Sequence, residues 1–144
     1  MATEINFYQA DETIIKSLAP LLLKVLEEKK KAFIFCQNPA QIKAIDDSLW
    51  SYGRNKFIPH ITISDKDFVL ERQPILISDK EENSNKADYL VFLDVPSSGF
   101  LSSFERVFYF FEEQNFAAAE GIAKKVKPKN CYKKLDGKWV KFNF

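Results

Sequence analysis

The residue types that most often perform catalysis are scarce in this chain of 144 residues. His60 is the single histidine, so any histidine-dependent catalytic arrangement or metal site must use it. Cys36 is a conceivable nucleophile beside it, but it closes an apolar run and nothing marks it as an activated thiolate. The adjacent acids fall in segments expected to be solvated faces or loops: Asp46-Asp47, Glu81-Glu82 and Glu112-Glu113. No credible set of acid, base and nucleophile emerges.

Cofactor and metal motifs are also missing from the sequence. The glycines do not have the spacing of a phosphate-binding loop: they are Gly53, Gly99, Gly121 and Gly137. Asp11 and Glu12 follow the first apolar run, where a bound phosphate would need backbone donors instead of acids. Cys36 and Cys131 lie far apart and form no Cys-x-x-Cys motif. We therefore expect no cofactor, no metal site and no nucleotide-binding loop.

The lysines are concentrated at one end of the chain. Residues Gly121–Phe144 contain eight lysines and one acid, a charge of +7, although the net charge of the whole chain is only +1. This asymmetry favours an anionic partner for the basic end, the alternative being a solvated surface without a partner. An apolar groove bordered by ammonium groups would suit an acidic peptide that ends in an aromatic residue, or single-stranded nucleic acid.

The apolar pattern in the first half of the chain predicts alternating strands and helices. Ile5–Tyr8 is a short strand, followed by an amphipathic helix from about Asp11 to Lys29 that Pro20 should kink or shorten. Ala32–Cys36 is a strand buried on both faces. Asn38-Pro39 then begins a second helix, because a capping side chain followed by proline is typical of a helix start. This order predicts βαβ units and a parallel sheet.

The second half is predicted to contain two more buried strands, two helices and a hairpin or tail. Phe57–Ile63 is an edge strand or a loop because Pro59 interrupts it. Pro74–Ser78 and Tyr89–Leu93 are the strands. A helix is predicted over Leu101–Glu113 on the stripe Phe104, Val107, Phe108 and Phe111. A last helix spans about Phe116–Val126, and Asp136-Gly137 within Tyr132–Phe142 indicates a hairpin or an extended tail.

Two features of these elements bear on binding. Tyr109 and Phe110 lie off the stripe of the long helix, so they line a groove or belong to a helix that is buried on two sides. The strands predict a core that includes Phe33, Phe35, Ile75, Ile77, Leu90 and Phe92. The length and the 46% hydrophobic content indicate one domain over residues 1–144. No leader or membrane-length apolar run is visible, so a cytoplasmic protein is expected.

In order and spacing these segments resemble the chi subunit family of the DNA polymerase III holoenzyme. The resemblance rests on Ile5–Tyr8, on Phe33–Cys36 with the helix ending in Asp46–Trp50, on Phe57–His60, on Pro74–Ile77 and on Phe104–Val107. It implies a single-domain, Rossmann-like, three-layer α/β fold with a mostly parallel sheet and no nucleotide-binding loop. It also implies a non-catalytic adaptor between the clamp loader and the single-stranded DNA-binding protein.

The resemblance implies two binding surfaces on such an adaptor. Trp50 and Phe57 match positions on the surface for the psi subunit of the clamp loader. The acidic C-terminal tail of the single-stranded DNA-binding protein is expected at a site that comprises Phe111, Lys124, Lys125, Lys127, Lys129 and Tyr132. Here the chain has lysines where the family usually has an arginine and an aromatic residue, which removes the bidentate grip on a carboxylate. Single-stranded DNA would be reached only indirectly.

Two other functions stay open at this stage. The first is direct binding of single-stranded nucleic acid by the basic segment, with Tyr132 and Trp139 as stacking platforms. The charge of −6 outside that segment argues against it, because an extended nucleic-acid track needs a broad positive surface. The second is a small α/β enzyme, which the lack of catalytic residues disfavours.

Overall fold

The computed structural model describes residues 3–11, 13–52, 58–65 and 69–144. In these ranges the chain forms an α/β domain around one sheet of eight strands. The elements, in chain order, are β1 (Glu4–Ala10), α1 (Ile14–Glu27), β2 (Ala32–Phe35), α2 (Pro39–Ser51), β3 (Ile61–Thr62), β4 (Ile75–Ser78), β5 (Tyr89–Phe92), α3 (Ser98–Leu101), β6 (Arg106–Glu112), α4 (Phe116–Val126), β7 (Asn130–Leu135) and β8 (Lys138–Lys141).

The sheet has the strand order β3-β4-β2-β5-β6-β1-β7-β8. Every pairing is parallel except that of β7 with β8, which is antiparallel. Parallel strands need crossover connections, and α1, α2 and α4 provide them. The predicted mostly parallel α/β fold of Rossmann-like type is therefore confirmed.

Two apolar cores cover the two faces of the sheet. One contains buried residues of α1 and α2, such as Leu22 and Leu49, with Ile34, Ile77 and Phe110 from the strands. The other includes Leu101 of α3 and Ala119 of α4. Successive residues of a strand point to opposite faces, so each central strand supplies both cores. The six predicted core residues are all buried, which confirms them: Phe33, Phe35, Ile75, Ile77, Leu90 and Phe92.

The predicted helix over Leu101–Glu113 is wrong. Only the four-residue α3 is helical near its start, and Arg106–Glu112 is strand β6, which pairs with β1 and β5 at the centre of the sheet. A strand buried on both faces is apolar at every position, so its run of residues also contains the helical i, i+3, i+4 spacing. Tyr109 and Phe110 are consequently buried on opposite faces of a strand, and neither lines a groove.

The other local predictions agree closely with the structure. The first helix begins at Ile14, after Thr13 instead of Asp11, and continues through Pro20. Asn38 caps α2 as predicted, its side chain accepting a hydrogen bond from the Gln41 backbone amide at 2.9 Å. Strand β3 is the predicted edge strand, although residues 53–57 lie outside the described ranges.

The hairpin of β7 and β8 is confirmed as well. Asp136 and Gly137 have φ angles of 50° and 77°, as a two-residue hairpin turn requires. Because β7 also pairs in parallel with β1, the hairpin extends the main sheet, and β8 becomes its outer edge.

Candidate functional site

Cys36 and His60 are both built into the core, which removes the one catalytic pair that the sequence allows. Burial, with the Asp79 carboxylate as a second cause, raises the pKa of the Cys36 thiol to about 12, so the thiol stays protonated near neutral pH. The His60 side chain is fully buried, with Nδ1 2.6 Å from the Ile58 carbonyl oxygen and Nε2 2.8 Å from Asp46 Oδ1. Both ring nitrogens therefore have a hydrogen-bond partner inside the fold, and the buried imidazole offers neither of them to a substrate.

Trp50 is the most exposed large apolar side chain in the part of the chain that the structure describes, at 59%. It lies in the last turn of α2, and its ring centroid is 4.9 Å from that of His60. Asp46 is one turn earlier in the same helix and holds the imidazole from its other end. His60 therefore supports the indole from below. Phe57, the second residue expected on this surface, lies outside the described residues.

The surface around Trp50 is concave and acidic. A cleft of about 350 Å³ is lined by Asp46, Trp50, Pro59, His60, Ile61, Asp65 and Gln73. A neighbouring cleft of about 410 Å³ shares Asp46 and Asp65 and also contains Lys43 and Asp79. We call this region, at the β3 edge of the sheet, the Trp50 surface. An apolar anchor bordered by carboxylates suits a protein partner with apolar and basic side chains.

The lysines expected at the tail site are all exposed, and they surround the end of α4. Lys124 and Lys125 lie in its last turn, where the helix dipole favours cations. Lys127 ends the helix in the left-handed conformation, with φ of 52°. The Lys129 backbone amide then donates to the Ile5 carbonyl oxygen at 2.7 Å, which ties this segment to β1.

Phe111 and Tyr132 belong to opposite faces of the sheet. Tyr8, Phe110 and Tyr132 are in register on neighbouring strands and stack on one another, with ring centroids 5.2 to 5.3 Å from Tyr8. Phe111 follows Phe110 in the strand and so points to the α4 side, where it is 1% exposed. The structure brings the four lysines together but does not bring Phe111 and Tyr132 into one site.

Sequence reasoning missed an aromatic group that covers Phe111. The ring of Phe144 lies 6.2 Å from the ring of Phe111 and 5.0 Å from that of Phe116, and Phe142 is 5.1 Å away from Phe144. Phe116 and Phe144 are 37% and 36% exposed. We call Phe116, Phe142 and Phe144 the Phe144 cluster. The i, i+2 spacing of Phe142 and Phe144 after an alternating strand was the signal for a shared apolar face.

A small cleft with two lysines adjoins this cluster. It has a volume of about 180 Å³ and is lined by Lys129, Asn130, Cys131, Lys141, Phe142 and Asn143. Lys141, like the cluster, was not among the residues selected from the sequence. Phe142 belongs both to the cleft and to the Phe144 cluster, so apolar rings and ammonium groups share one surface. Such a surface is suited to an acidic peptide with an aromatic residue.

Acids occupy the carboxyl ends of β1 and β6. A cleft of about 410 Å³ there is lined by Ala10, Asp11, Glu112, Glu113 and Gln114. The negative charge of its three acids opposes phosphate binding.

Within residues 3–11, 13–52, 58–65 and 69–144, no three His, Cys, Asp or Glu side chains are grouped so that they could hold a metal ion. No helix in these ranges has the length and apolar character needed to cross a membrane.

Comparison with known sequences relates the chain to replication proteins. The model of the family described as "DNA polymerase III chi subunit, HolC" matches residues 2–125. "Probable DNA polymerase III subunit chi" of Rickettsia prowazekii is 30% identical over 87 residues, which are 60% of this chain and only 52% of that protein. "DNA polymerase III subunit chi" of Pseudomonas aeruginosa is 28% identical over 109 residues, covering 73% of this chain and 74% of the relative.

Solved structures resemble the fold alone. The helicase domain of Pyrococcus furiosus Hef aligns with a TM-score of 0.58 at 17% identity, over 77% of this chain and 27% of that one. The C-terminal domain of Saccharomyces cerevisiae Dbp5, solved with Gle1 and IP6, aligns with a TM-score of 0.55 at 11% identity, over 93% and 90% of the two chains. Both comparisons support the parallel α/β architecture.

Proposed function

This chain belongs to the DNA polymerase III chi subunit family, and on that premise we propose that it is a non-catalytic adaptor of the polymerase holoenzyme in the cytoplasm. As one domain, residues 1–144 would link a psi-like subunit of the clamp loader to the acidic C-terminal tail of the single-stranded DNA-binding protein. The observation that carries the proposal is the position of two candidate surfaces towards opposite ends of one sheet. The Trp50 surface adjoins β3, whereas the basic, aromatic surface lies over the half of the sheet that runs from β6 to β8.

The Trp50 surface is proposed to receive the clamp-loader partner. An exposed indole in a concave setting is typical of an interface anchor, because it can bury a large apolar area at little cost in side-chain entropy. The contacts of His60 with Asp46 and Ile58 support this anchor from inside the fold. A preorganised anchor loses less conformational freedom on binding. Phe57 stays part of this proposal on the strength of the family resemblance.

The Phe144 cluster and the surrounding lysines are proposed to receive the acidic tail. Phe116 begins α4 and Lys124 lies eight residues later, which corresponds to about 12 Å along the helix. An extended peptide covers that distance with about four residues. A tail whose aromatic ring packs on the cluster can therefore place preceding carboxylates near Lys124 and Lys125. Phe111 contributes from beneath Phe144, and the position of Tyr132 on the other face leaves it outside this arrangement.

The non-catalytic part of the proposal rests on Cys36 and His60. A thiol with a strongly raised pKa is a poor nucleophile, and a buried histidine whose ring nitrogens both contact groups of the fold cannot reach a substrate proton. Family membership agrees, since the relatives are named as polymerase subunits.

Titration with an acidic, Phe-terminated peptide tests the tail site. Removing the phenylalanine from the peptide should cost about 2 to 3 kcal/mol of binding free energy at any salt concentration, because apolar area is lost. The double change Lys124→Glu and Lys125→Glu should weaken binding most at low salt, because partly exposed ion pairs are screened within about 10 Å at 0.1 M salt. Fluorescence anisotropy of a labelled peptide measures both effects.

A matched control reverses a lysine in the loop between β4 and β5. Lys80→Glu introduces the same kind of charge change far along the sheet from β8 and should leave peptide affinity close to that of the parent. If the doubly reversed variant were folded and bound the peptide as tightly as the parent at low salt, the tail site would lie elsewhere.

A further inference from the structure

Three aromatic side chains extend in contact across the β1, β7 and β8 strands on the α1 side of the sheet. Tyr8 stacks on Tyr132, with ring centroids 5.3 Å apart and planes 18° apart. Trp139 of β8 meets Tyr8 edge-on at 5.2 Å. We call Tyr8, Tyr132 and Trp139 the aromatic row. It lies on the face opposite Phe111 and the Phe144 cluster, because Tyr8 and Phe7 are consecutive residues of one strand and Phe7 packs on Phe144.

The outer end of the aromatic row is open to solvent. Tyr8 and Tyr132 are half-buried, Trp139 is 39% exposed, and all four residues of β8 are exposed. The described helices on this side pack chiefly on other strands, α1 on β6 and β1 and α2 on β3 and β4. Large aromatic side chains on an uncovered sheet edge contribute less to stability than buried ones, so their presence here favours a binding role.

Cations are placed within reach of the row. Lys134 Nζ lies 5.5 Å from the centre of the Trp139 ring, and Lys141 is in register with Tyr132. The hairpin residues Asn130–Lys141 include four lysines and a single acid, Asp136. Beside Tyr8, a cleft of about 100 Å³ contains Lys24 of α1 and also Glu28, which follows that helix. Arg106 lines the same cleft, and its side chain is 3.6 Å from the Glu4 carboxylate, so acids accompany both cations. The excess positive charge therefore belongs to the hairpin.

We infer that the aromatic row with Lys134 and Lys141 is a binding site for single-stranded DNA, with a base that stacks on Trp139 and phosphates that pair with the lysines. Aromatic platforms between cations on an open sheet are how proteins bind single strands without reading their sequence. Phosphates supply one negative charge per nucleotide, and the lysines of the hairpin strands offer cations that can pair with them. DNA is chosen over RNA because the chain belongs to a family of DNA polymerase subunits.

An acidic peptide fits this face less well than it fits the opposite face. The Phe144 cluster, on the α4 side, adjoins the small cleft, which offers a concave place for a single aromatic side chain next to lysines. The aromatic row instead crosses three strands and presents Trp139 to solvent at the β8 edge, which suits a flat base. The site goes beyond the proposed adaptor function, in which single-stranded DNA is reached only through another protein. Apart from Tyr8, its residues lie beyond residue 125, where the match to the family ends.

Anisotropy titrations of the full chain with a labelled oligothymidylate of about 16 nucleotides test this inference. The parent should bind at low salt, and Trp139→Ala should weaken binding about 10-fold or more through loss of stacking. The double change Lys134→Gln and Lys141→Gln should reduce the slope of log affinity against log salt by about 0.7 for each lost phosphate contact. The matched control, Lys80→Gln with Lys86→Gln, should leave both affinity and slope unchanged.

Fluorescence keeps the test decisive if Trp139→Ala fails to fold. Oligonucleotide binding should quench the tryptophan emission of the parent. The Trp139→Phe variant should bind the oligonucleotide with little loss of affinity. Its emission should be almost unquenched, because the remaining tryptophan, Trp50, is at the other edge of the sheet. Absence of binding by the parent at low salt, or unchanged binding by a folded Trp139→Ala variant, would overturn the inference. Tighter binding of oligouridylate would overturn the choice of DNA. Loss of acidic-peptide binding in Trp139→Ala, with oligonucleotide binding unaltered, would make the row a peptide site.

Discussion

The imidazole of His60 lies between the Ile58 carbonyl group and the Asp46 carboxylate, directly under Trp50. At the scale of single residues, this arrangement explains why the only histidine is retained in the core without a catalytic partner. A buried polar ring is tolerated only when its hydrogen bonds are made. Asp46 supplies one of these bonds to His60 and so stabilises the fold, whereas its neighbour Asp47 does not contact the ring. Asp47 instead forms an exposed ion pair with Lys43.

Asp46→Ala should lower the free energy of unfolding by about 1 to 3 kcal/mol, because it leaves the buried Nε2–H group of His60 without an acceptor. Asp47→Ala is the matched control: it is an identical change in the same helix, and loss of an exposed pair should cost about 0.5 kcal/mol or less. Urea denaturation followed by circular dichroism measures both. Equal destabilisation by the two changes would show that the His60–Asp46 contact contributes nothing of its own.

At the scale of elements, strand β6 defines the middle of the molecule. It pairs with β1 on one side and β5 on the other, and Val107 to Phe111 are buried at every position. Phe108 and Phe110 pack towards α1, whereas Val107, Tyr109 and Phe111 pack towards α4. The dense aromatic content of this segment is thus explained by two cores that share one strand, with no need for an exposed aromatic face.

Phe110→Ala should destabilise the fold by about 3 to 5 kcal/mol, since the ring is 3% exposed and stacks on Tyr8 at 5.2 Å. In an amphipathic helix over the same residues, Phe110 would lie off the apolar stripe, and its truncation would cost far less. Phe116→Ala serves as a control because this ring is 37% exposed, and a loss of about 1 kcal/mol is expected. Thermal and urea unfolding of the two variants should therefore differ clearly; similar losses would contradict the assignment of two-sided burial.

At the scale of the whole molecule, the sheet would act as a spacer in the proposed adaptor. Six strands lie between β3 and β8, so seven spacings of about 4.8 Å place the two edges roughly 34 Å apart. Partners on the Trp50 surface and on the basic edge would then not touch the same residues. A sheet whose central strands are covered on both faces would also keep their separation constant, which suits the proposed bridge between two parts of a larger assembly.

Independent binding at the two edges predicts additive effects. Trp50→Ala should weaken binding of the clamp-loader partner while leaving the affinity for the acidic peptide within about 0.5 kcal/mol of the parent. Lys124→Glu with Lys125→Glu should do the reverse, and the combined variant should lose both activities by the sum of the single effects. Isothermal titration calorimetry of the parent and each variant with each partner measures these changes in affinity. Strong coupling between the edges, or equal loss of both activities in Trp50→Ala, would indicate one shared site or a damaged fold.

Local sequence signals determined much of the secondary structure and the charge distribution of this protein. The β-branched and aromatic runs at Ala32–Cys36 and Tyr89–Leu93 identify buried strands. Asn38-Pro39 marks the start of α2, and Asp136-Gly137 specifies the hairpin. These signals are local because strand propensity, helix capping and turn geometry depend on only a few neighbouring residues. The concentration of lysines in Gly121–Phe144 likewise identifies the basic end.

Only the tertiary structure decided the nature of β6 and the composition of the surfaces. The apolar run Val107–Phe111 is compatible both with a helix and with a strand buried on both faces. Its pairing with β1, about one hundred residues away in sequence, makes it a strand. The same long-range pairing of β1 with β7 assigns Phe111 and Tyr132 to opposite faces and brings Phe144 over Phe111. Such contacts depend on strand order and register across the whole chain, and no local window of residues contains that information.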